Sequence, residues 1–302
     1  REAFAGWMQR RFNVTIAPID IAACIGTKEF VGTLPQWMKL RSPWLDTVLY
    51  PAVAYPTYEM GATLAGCRAV AVPCNDRGGI DLSTISEDDA KRALLLWVNS
   101  PSNPTGAIDD LGAAAKWGRA HGVPVFSDEC YAEFTWDGPA QTILQHGSTG
   151  VIAVHSLSKR SNLAGLRVGA YSGDHELVHY LSEVRKHVGM MVPGPAQAAA
   201  VAALNDDEHV VVQRDRYRHR LERMADILSK WSGINIALPD GGFYLWFQVD
   251  DAWAFTERLA REAGTLVSPG DLYGEQGQGF IRVAVVQSDA TIERVAQRLG
   301  IS

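Results

Sequence analysis

Apolar residues recur along this chain in two rhythms, and the change between them divides it. From Val14 to Tyr171, short apolar runs such as Val70-Ala-Val-Pro73, Leu94-Leu-Leu-Trp-Val98 and Val151-Ile-Ala-Val154 alternate with segments of helical spacing such as Gly112–Ala120. Strands separated by helices are the pattern of βαβ units and a mostly parallel sheet. Ahead of them Phe4, Trp7, Met8 and Phe12 fall on one face of a helix with no capping residue before it, so the chain reads as starting inside that helix. After Met191-Val-Pro-Gly-Pro195 comes an alanine-rich helix over residues 196–204, then a charged helical segment over 206–230 that reads as a connector. The remainder predicts strands around Ile234–Ala237, Phe243–Val249 and Phe280–Val286, with helices around Trp253–Ala263 and Ala290–Leu299. The expected organisation is an α/β chain with a large domain over residues 1–205, then a connecting helix and smaller α+β domain over 206–302.

Three of the apolar runs end in polar chemistry. One leads through His155-Ser-Leu-Ser to Lys159, with Arg167 following in Gly165-Leu-Arg-Val-Gly169. A lysine shielded from water at a strand end is suited to attack an aldehyde as a neutral amine, and hydroxyls with an arginine suit a phosphate monoester. A second runs into Asn99-Ser-Pro-Ser-Asn-Pro-Thr-Gly106, where prolines fix the turn that carries Asn103. A third, Val123-Pro-Val-Phe126, ends in Ser-Asp128-Glu-Cys-Tyr131. In a parallel sheet the carboxyl edge is where ligands bind. Each residue also has an ordinary reading: Lys159 a solvated side chain, Asp128 a helix cap, Asn103 a turn former, Tyr55 before Pro56 a core aromatic, and Gly26-Thr-Lys28 a glycine before a helix.

Taken together, Asn99–Gly106, Ser127–Tyr131 and Ser156–Lys159 with Gly165–Gly169 resemble the fold-type I aminotransferases, which use pyridoxal 5′-phosphate. The likeness runs the length of the chain. Ile25-Gly-Thr-Lys-Glu29, Ala54-Tyr-Pro-Thr-Tyr58, Gly189-Met-Met-Val-Pro193 and Phe243-Tyr-Leu-Trp246 look closest to one branch, the actinobacterial N-succinyldiaminopimelate aminotransferases of lysine biosynthesis. The resemblance implies the fold of that superfamily, with a large domain built on a mostly parallel sheet and a smaller α+β domain, and a homodimer whose site is completed across the subunit boundary. It implies Lys159 as the Schiff-base lysine and proton carrier, Asp128 against the pyridine nitrogen, and Tyr131 with Asn103 as donors to the 3′ oxygen. Ser156, Ser158, Arg167 and the backbone amides of Thr27 and Lys28 would hold the phosphate, and Tyr55 would stack on the ring. Arg282, with Asn103, would bind the substrate α-carboxylate, which supplies the anion that an arginine in an apolar strand needs. Glu129 is expected to face away, and Asn103–Pro104 to be cis. The implied substrates are an amino acid and a 2-oxo acid, namely L-glutamate and N-succinyl-2-amino-6-oxopimelate. Several carboxylates on that substrate call for a further cation, with Arg160, Arg185 and Lys186 as candidates. Family members carry several dozen residues upstream, so the chain is expected to be a fragment. Another fold-type I activity, such as a different transaminase or a carbon–sulfur β-lyase, shares the motifs, and so does an aminotransferase-like sensing domain.

Composition narrows the rest. With 302 residues, 47% of them hydrophobic, the chain can bury a sizeable core, and a net charge of -6 with pI near 5.8 argues against nucleic acid as a partner. No apolar run approaches the roughly 18 residues of a membrane span, and no signal peptide is visible at the start. Cysteines 24, 67, 74 and 130 are too irregular for a disulfide framework and are expected as buried free thiols in a reducing cytoplasm. His175-Glu-Leu-Val-His179 fits the zinc-protease motif, but no third ligand follows at either usual spacing, so a plain surface helix and no metal are expected.

Overall fold

A computed structural model describes residues 1–301 and shows a seven-stranded sheet joined by a long helix to a three-stranded one. The strands are β1 (Ile21–Cys24), β2 (Thr47–Pro51), β3 (Arg68–Val72), β4 (Ala93–Asn99), β5 (Val125–Asp128), β6 (Val151–Ser156), β7 (Gly169–Gly173), β8 (Tyr244–Gln248), β9 (Ser268–Pro269) and β10 (Phe280–Ala284). The helices are α1 (Glu2–Phe12), α2 (Thr27–Arg41), α3 (Thr57–Leu64), α4 (Glu87–Arg92), α5 (Leu111–His121), α6 (Leu157–Arg160), α7 (His175–His187), α8 (Gly194–Leu204), α9 (Glu208–Ser232), α10 (Ala252–Ala263) and α11 (Asp289–Arg298).

The large sheet has the order β1-β7-β6-β5-β4-β2-β3. Strands β2 to β6 run parallel and β7 alone runs against its neighbours, so the expected mostly parallel sheet is present. Every residue of β4, β5 and β6 is buried, which is why these strands read as continuous apolar runs rather than alternating ones. Helices cover both faces. One core cluster gathers Trp7 and Met8 of α1 with Leu111 and Ala115 of α5; the other gathers Phe30, Leu34 and Trp37 of α2 with Tyr58 of α3 and Leu181 of α7.

The charged segment after residue 206 forms the 25-residue helix α9, whose Tyr217, Leu221, Met224, Ala225 and Leu228 pack into a third core around the small sheet, order β8-β10-β9. The expected strand at Ile234–Ala237 does not form. Its alternation is real, since Ile236 is buried and Ile234 half-buried, but the two backbone amides that a ladder would use donate to Ser229 Oγ and Ser232 Oγ at the end of α9.

Candidate active site

The register of the parallel strands builds the floor of the site. Asn99 at the end of β4 lies opposite Asp128 at the end of β5, while Ser156 of β6 and Cys24 of β1 both pair with Gly169. Asp128 is buried, and its Oδ2 accepts from the Tyr58 hydroxyl at 2.8 Å while Oδ1 accepts from the Cys130 amide at 3.2 Å. No cation pairs with this carboxylate among the described residues, and burial raises its pKa. It caps no helix, since the short 3₁₀ turn beyond it begins only at Ala132, so the helix-cap reading fails. Asn99 donates to the Asp128 carbonyl at 2.8 Å and accepts from the Asn103 amide at 2.8 Å, which ties the proline turn to the floor. Both Ser100–Pro101 and Asn103–Pro104 are cis, the second as expected.

Lys159 lies in the single turn α6 that follows β6, with its Nζ 5.9 Å from the centre of the Phe243 ring. Ser156 caps that turn by accepting from the Ser158 amide at 3.1 Å. Beside it, α2 starts at Thr27 with no side-chain cap, so its first amides are open to an anion. Gly26 has φ 72°, and a Cβ there would sit 2.2 Å from Arg167 Nη2, so only glycine lets the guanidinium reach the helix start. Arg167 itself has left-handed backbone angles, φ 55° and ψ 55°, a conformation that costs energy for a residue with a side chain and is typical of functional sites. Glu29 would repel an anion from this first turn, but it is drawn aside by Arg185, whose two terminal nitrogens each donate to it at 2.7 Å.

The opposite wall comes from the small sheet. The guanidinium of Arg282 on β10 lies over the rings of both Tyr244 and Tyr273, 4.5 and 4.9 Å from their centres, and donates to Asn103 Oδ1 at 2.9 Å. Its buried Nε has no partner and no carboxylate pairs with it among the described residues. Such a cation is set for a ligand's anion. Tyr131, buried beside it, makes a 2.5 Å hydroxyl–hydroxyl contact with Tyr244, and burial keeps both phenols protonated, the Tyr244 pKa being pushed up to about 12 and that of Tyr131 well above its ordinary value.

The eleven residues expected to hold the cofactor and the substrate α-carboxylate therefore line one cleft of about 330 Å³, Lys28 and Tyr55 at its edge with the Lys28 Nζ 5.6 Å over the Tyr55 ring. Sequence reasoning missed Tyr58, Asn99, Cys130 and Tyr244, which line the same cleft. The candidates for a distal cation are corrected. Arg160 is buried away from the cleft against Glu133 and Asp207, Arg185 pairs with Glu29, and Lys186 pairs with Glu183 on its own helix. Glu129 faces away from the cleft, accepting from the Ile143 amide at 2.7 Å. The zinc-like motif is the exposed start of α7, capped by Asp174, with His175 bonded to Asp20 at 2.6 Å, and no group of three metal-ligating side chains occurs among the described residues. The four cysteines are free, but only Cys24 is buried as expected; Cys67, Cys74 and Cys130 are half-buried.

A buried carboxylate awaiting a cation, a lysine, an uncapped helix start beside an arginine, and a second arginine awaiting a carboxylate are the donor set that pyridoxal phosphate and an amino acid require. Asp128 would face the ring nitrogen, Arg167 with the α2 amides and the two serines the phosphate, and Lys159 the aldehyde. When bound, the cofactor supplies the electron sink for charge developing at the substrate Cα. Fold and site thus define a fold-type I, pyridoxal-phosphate-dependent transaminase. The chain belongs to the aminotransferase class I and II family, whose model matches residues 1–299. It is 40% identical over 99% of its length to the 4-dedimethylamino-4-oxo-anhydrotetracycline transaminase OxyQ of Streptomyces rimosus, covering 82% of that protein. It is 36% identical over the same share to LL-diaminopimelate aminotransferase of Aquifex aeolicus, covering 80% of it. The structure of a probable N-succinyldiaminopimelate aminotransferase from Thermus thermophilus superimposes with a TM-score of 0.88 at 30% identity, over 99% of this chain and 82% of that one. No helix among the described residues is long and apolar enough to cross a membrane.

Proposed function

We propose that this aminotransferase, acting as a cytoplasmic homodimer, moves an amino group between L-glutamate and N-succinyl-2-amino-6-oxopimelate, the reaction of N-succinyldiaminopimelate aminotransferases. Arg282 and Asn103 hold the α-carboxylate, and Lys159 moves the proton at the substrate Cα. The observation that carries the substrate reading is Lys28, an exposed cation at the edge of the cleft with no ion-pair partner among the described residues. It can meet the distal carboxylate of glutamate in one half-reaction and that of the succinyl arm in the other. The Thermus likeness supports the same choice.

One observation favours a second substrate. Glu59, Asp271 and Glu275 line an adjoining cleft of about 500 Å³ that shares Tyr55 with the site. A free distal ammonium, as on LL-diaminopimelate, would be attracted there and a succinyl carboxylate repelled. Single-turnover conversion of the bound cofactor by N-succinyl-LL-diaminopimelate and by LL-diaminopimelate separates the two. Conversion about tenfold or more faster with the succinylated donor, a margin of about 1.4 kcal/mol in the barrier, is expected; the reverse order sinks the proposal.

A further inference from the structure

One buried pair of hydroxyls bridges the two sheets beside the cleft. Tyr131 leaves the end of β5, Tyr244 belongs to β8 of the other sheet, and the two oxygens meet at 2.5 Å although 113 residues separate them. Each phenol has one proton to give. If Tyr131 gives its proton to the cofactor's 3′ oxygen, Tyr244 must be the donor of the pair. Burial pushes the Tyr244 pKa up, and the Arg282 guanidinium, 4.5 Å over its ring, partly offsets that rise by drawing electron density from the hydroxyl. Both side chains are buried, so water does not compete for the bond.

We propose that Tyr244 is a positioning residue that acts through Tyr131, forming a two-phenol relay from the substrate-carboxylate arginine to the cofactor's ring oxygen. The proposal rests on the reading of Tyr131 as the donor to that oxygen. A hydroxyl that accepts one hydrogen bond donates the next more strongly. The relay therefore favours the ionised form of the ring oxygen beyond what Tyr131 alone achieves. It also spans the two sheets, so the distance between them is felt at the cofactor.

The test is the pH at which the visible absorption band of the bound cofactor titrates, measured in the wild type, Tyr244→Phe, Tyr131→Phe and the double variant. Tyr244→Phe removes one oxygen and keeps the ring under Arg282. Its midpoint is expected to rise by about half a unit, because a weaker donor stabilises the ionised acceptor less. Tyr131→Phe should raise it further. The double variant should match Tyr131→Phe, since without Tyr131 the relay has no second link. An unshifted Tyr244→Phe midpoint overturns the relay even where the melting temperature falls, and so do additive shifts. A wild-type protein that forms no visible band overturns the cofactor reading of the cleft, and the relay with it, which separates the two failures.

Discussion

Replacing Arg282 by Met removes the guanidinium while keeping an unbranched apolar stem beside Tyr244 and Tyr273. In the substrate-free protein this cation has one hydrogen bond, to Asn103, an unpartnered Nε and no carboxylate. Its loss from the folded state costs about 1 kcal/mol for that hydrogen bond and about 0.5–1 kcal/mol for each of the contacts with the Tyr244 and Tyr273 rings, offset in part by relief of a half-buried charge without an anionic partner. The melting temperature of the cofactor-free protein is therefore expected to fall by a few degrees at most. With substrate the balance is different. Two charge-assisted bonds to the α-carboxylate, worth about 1.5–2 kcal/mol each after desolvation, sum to about 3–4 kcal/mol. At about 1.36 kcal/mol per decade, kcat/KM for L-glutamate should fall by roughly 100- to 1,000-fold. Steady-state kinetics at saturating oxo acid measures the fall, and a primary amine lacking the carboxylate serves as control, since it feels only the weaker effect of Arg282 on the cofactor and its slow conversion should fall by no more than a few-fold. A kcat/KM for glutamate within a few-fold of wild type, or an equal loss with the amine, would refute the assignment of Arg282.

Two further outcomes follow from neighbouring residues. Lys28→Met should lower kcat/KM about 10-fold for dicarboxylic donors, as expected for one partly solvated ion pair, and leave neutral donors such as alanine unchanged; a donor panel measures this, and equal effects on both classes would remove Lys28 from substrate recognition. Asp109, buried beside the proline turn where it accepts from the Ile80 amide at 2.9 Å, has its pKa raised by burial from 3.8 to about 6. Because the folded pKa lies above the unfolded one, ionisation costs nothing below pH ~4, and the penalty grows to about 3 kcal/mol above pH ~6. Asp109→Asn should thus gain stability relative to wild type across that window, and urea melts that differ by a constant amount from pH 4 to 7 would contradict it.

Much of the site was legible because the chemistry sits at the ends of short buried strands. Asp128, Asn103 and Lys159 each follow an apolar run within a few residues, and a parallel sheet with matched registers brings such ends together. Tyr58 and Tyr244 were not legible, since their partners Asp128 and Tyr131 lie 70 and 113 residues away and neither tyrosine stands at the carboxyl end of a strand. The same distance hid the fate of the cations: Arg185 finds Glu29 across 156 residues, so sequence offered no reason to remove it from the candidates for the substrate. The missing strand at Ile234–Ala237 failed on local grounds, because serine oxygens at the end of α9 took the amides a ladder would have used.

On the proposed assignment, Lys159 binds the cofactor and yields it to an amino acid. The most direct measurement reconstitutes the protein with pyridoxal phosphate, reduces it with borohydride before and after adding L-glutamate, and maps the labelled peptide. Label on Lys159 that disappears after glutamate, together with conversion of the visible band, is the predicted result. Label on another lysine, or label on Lys159 that persists unchanged in the presence of every amino donor tried, would contradict it.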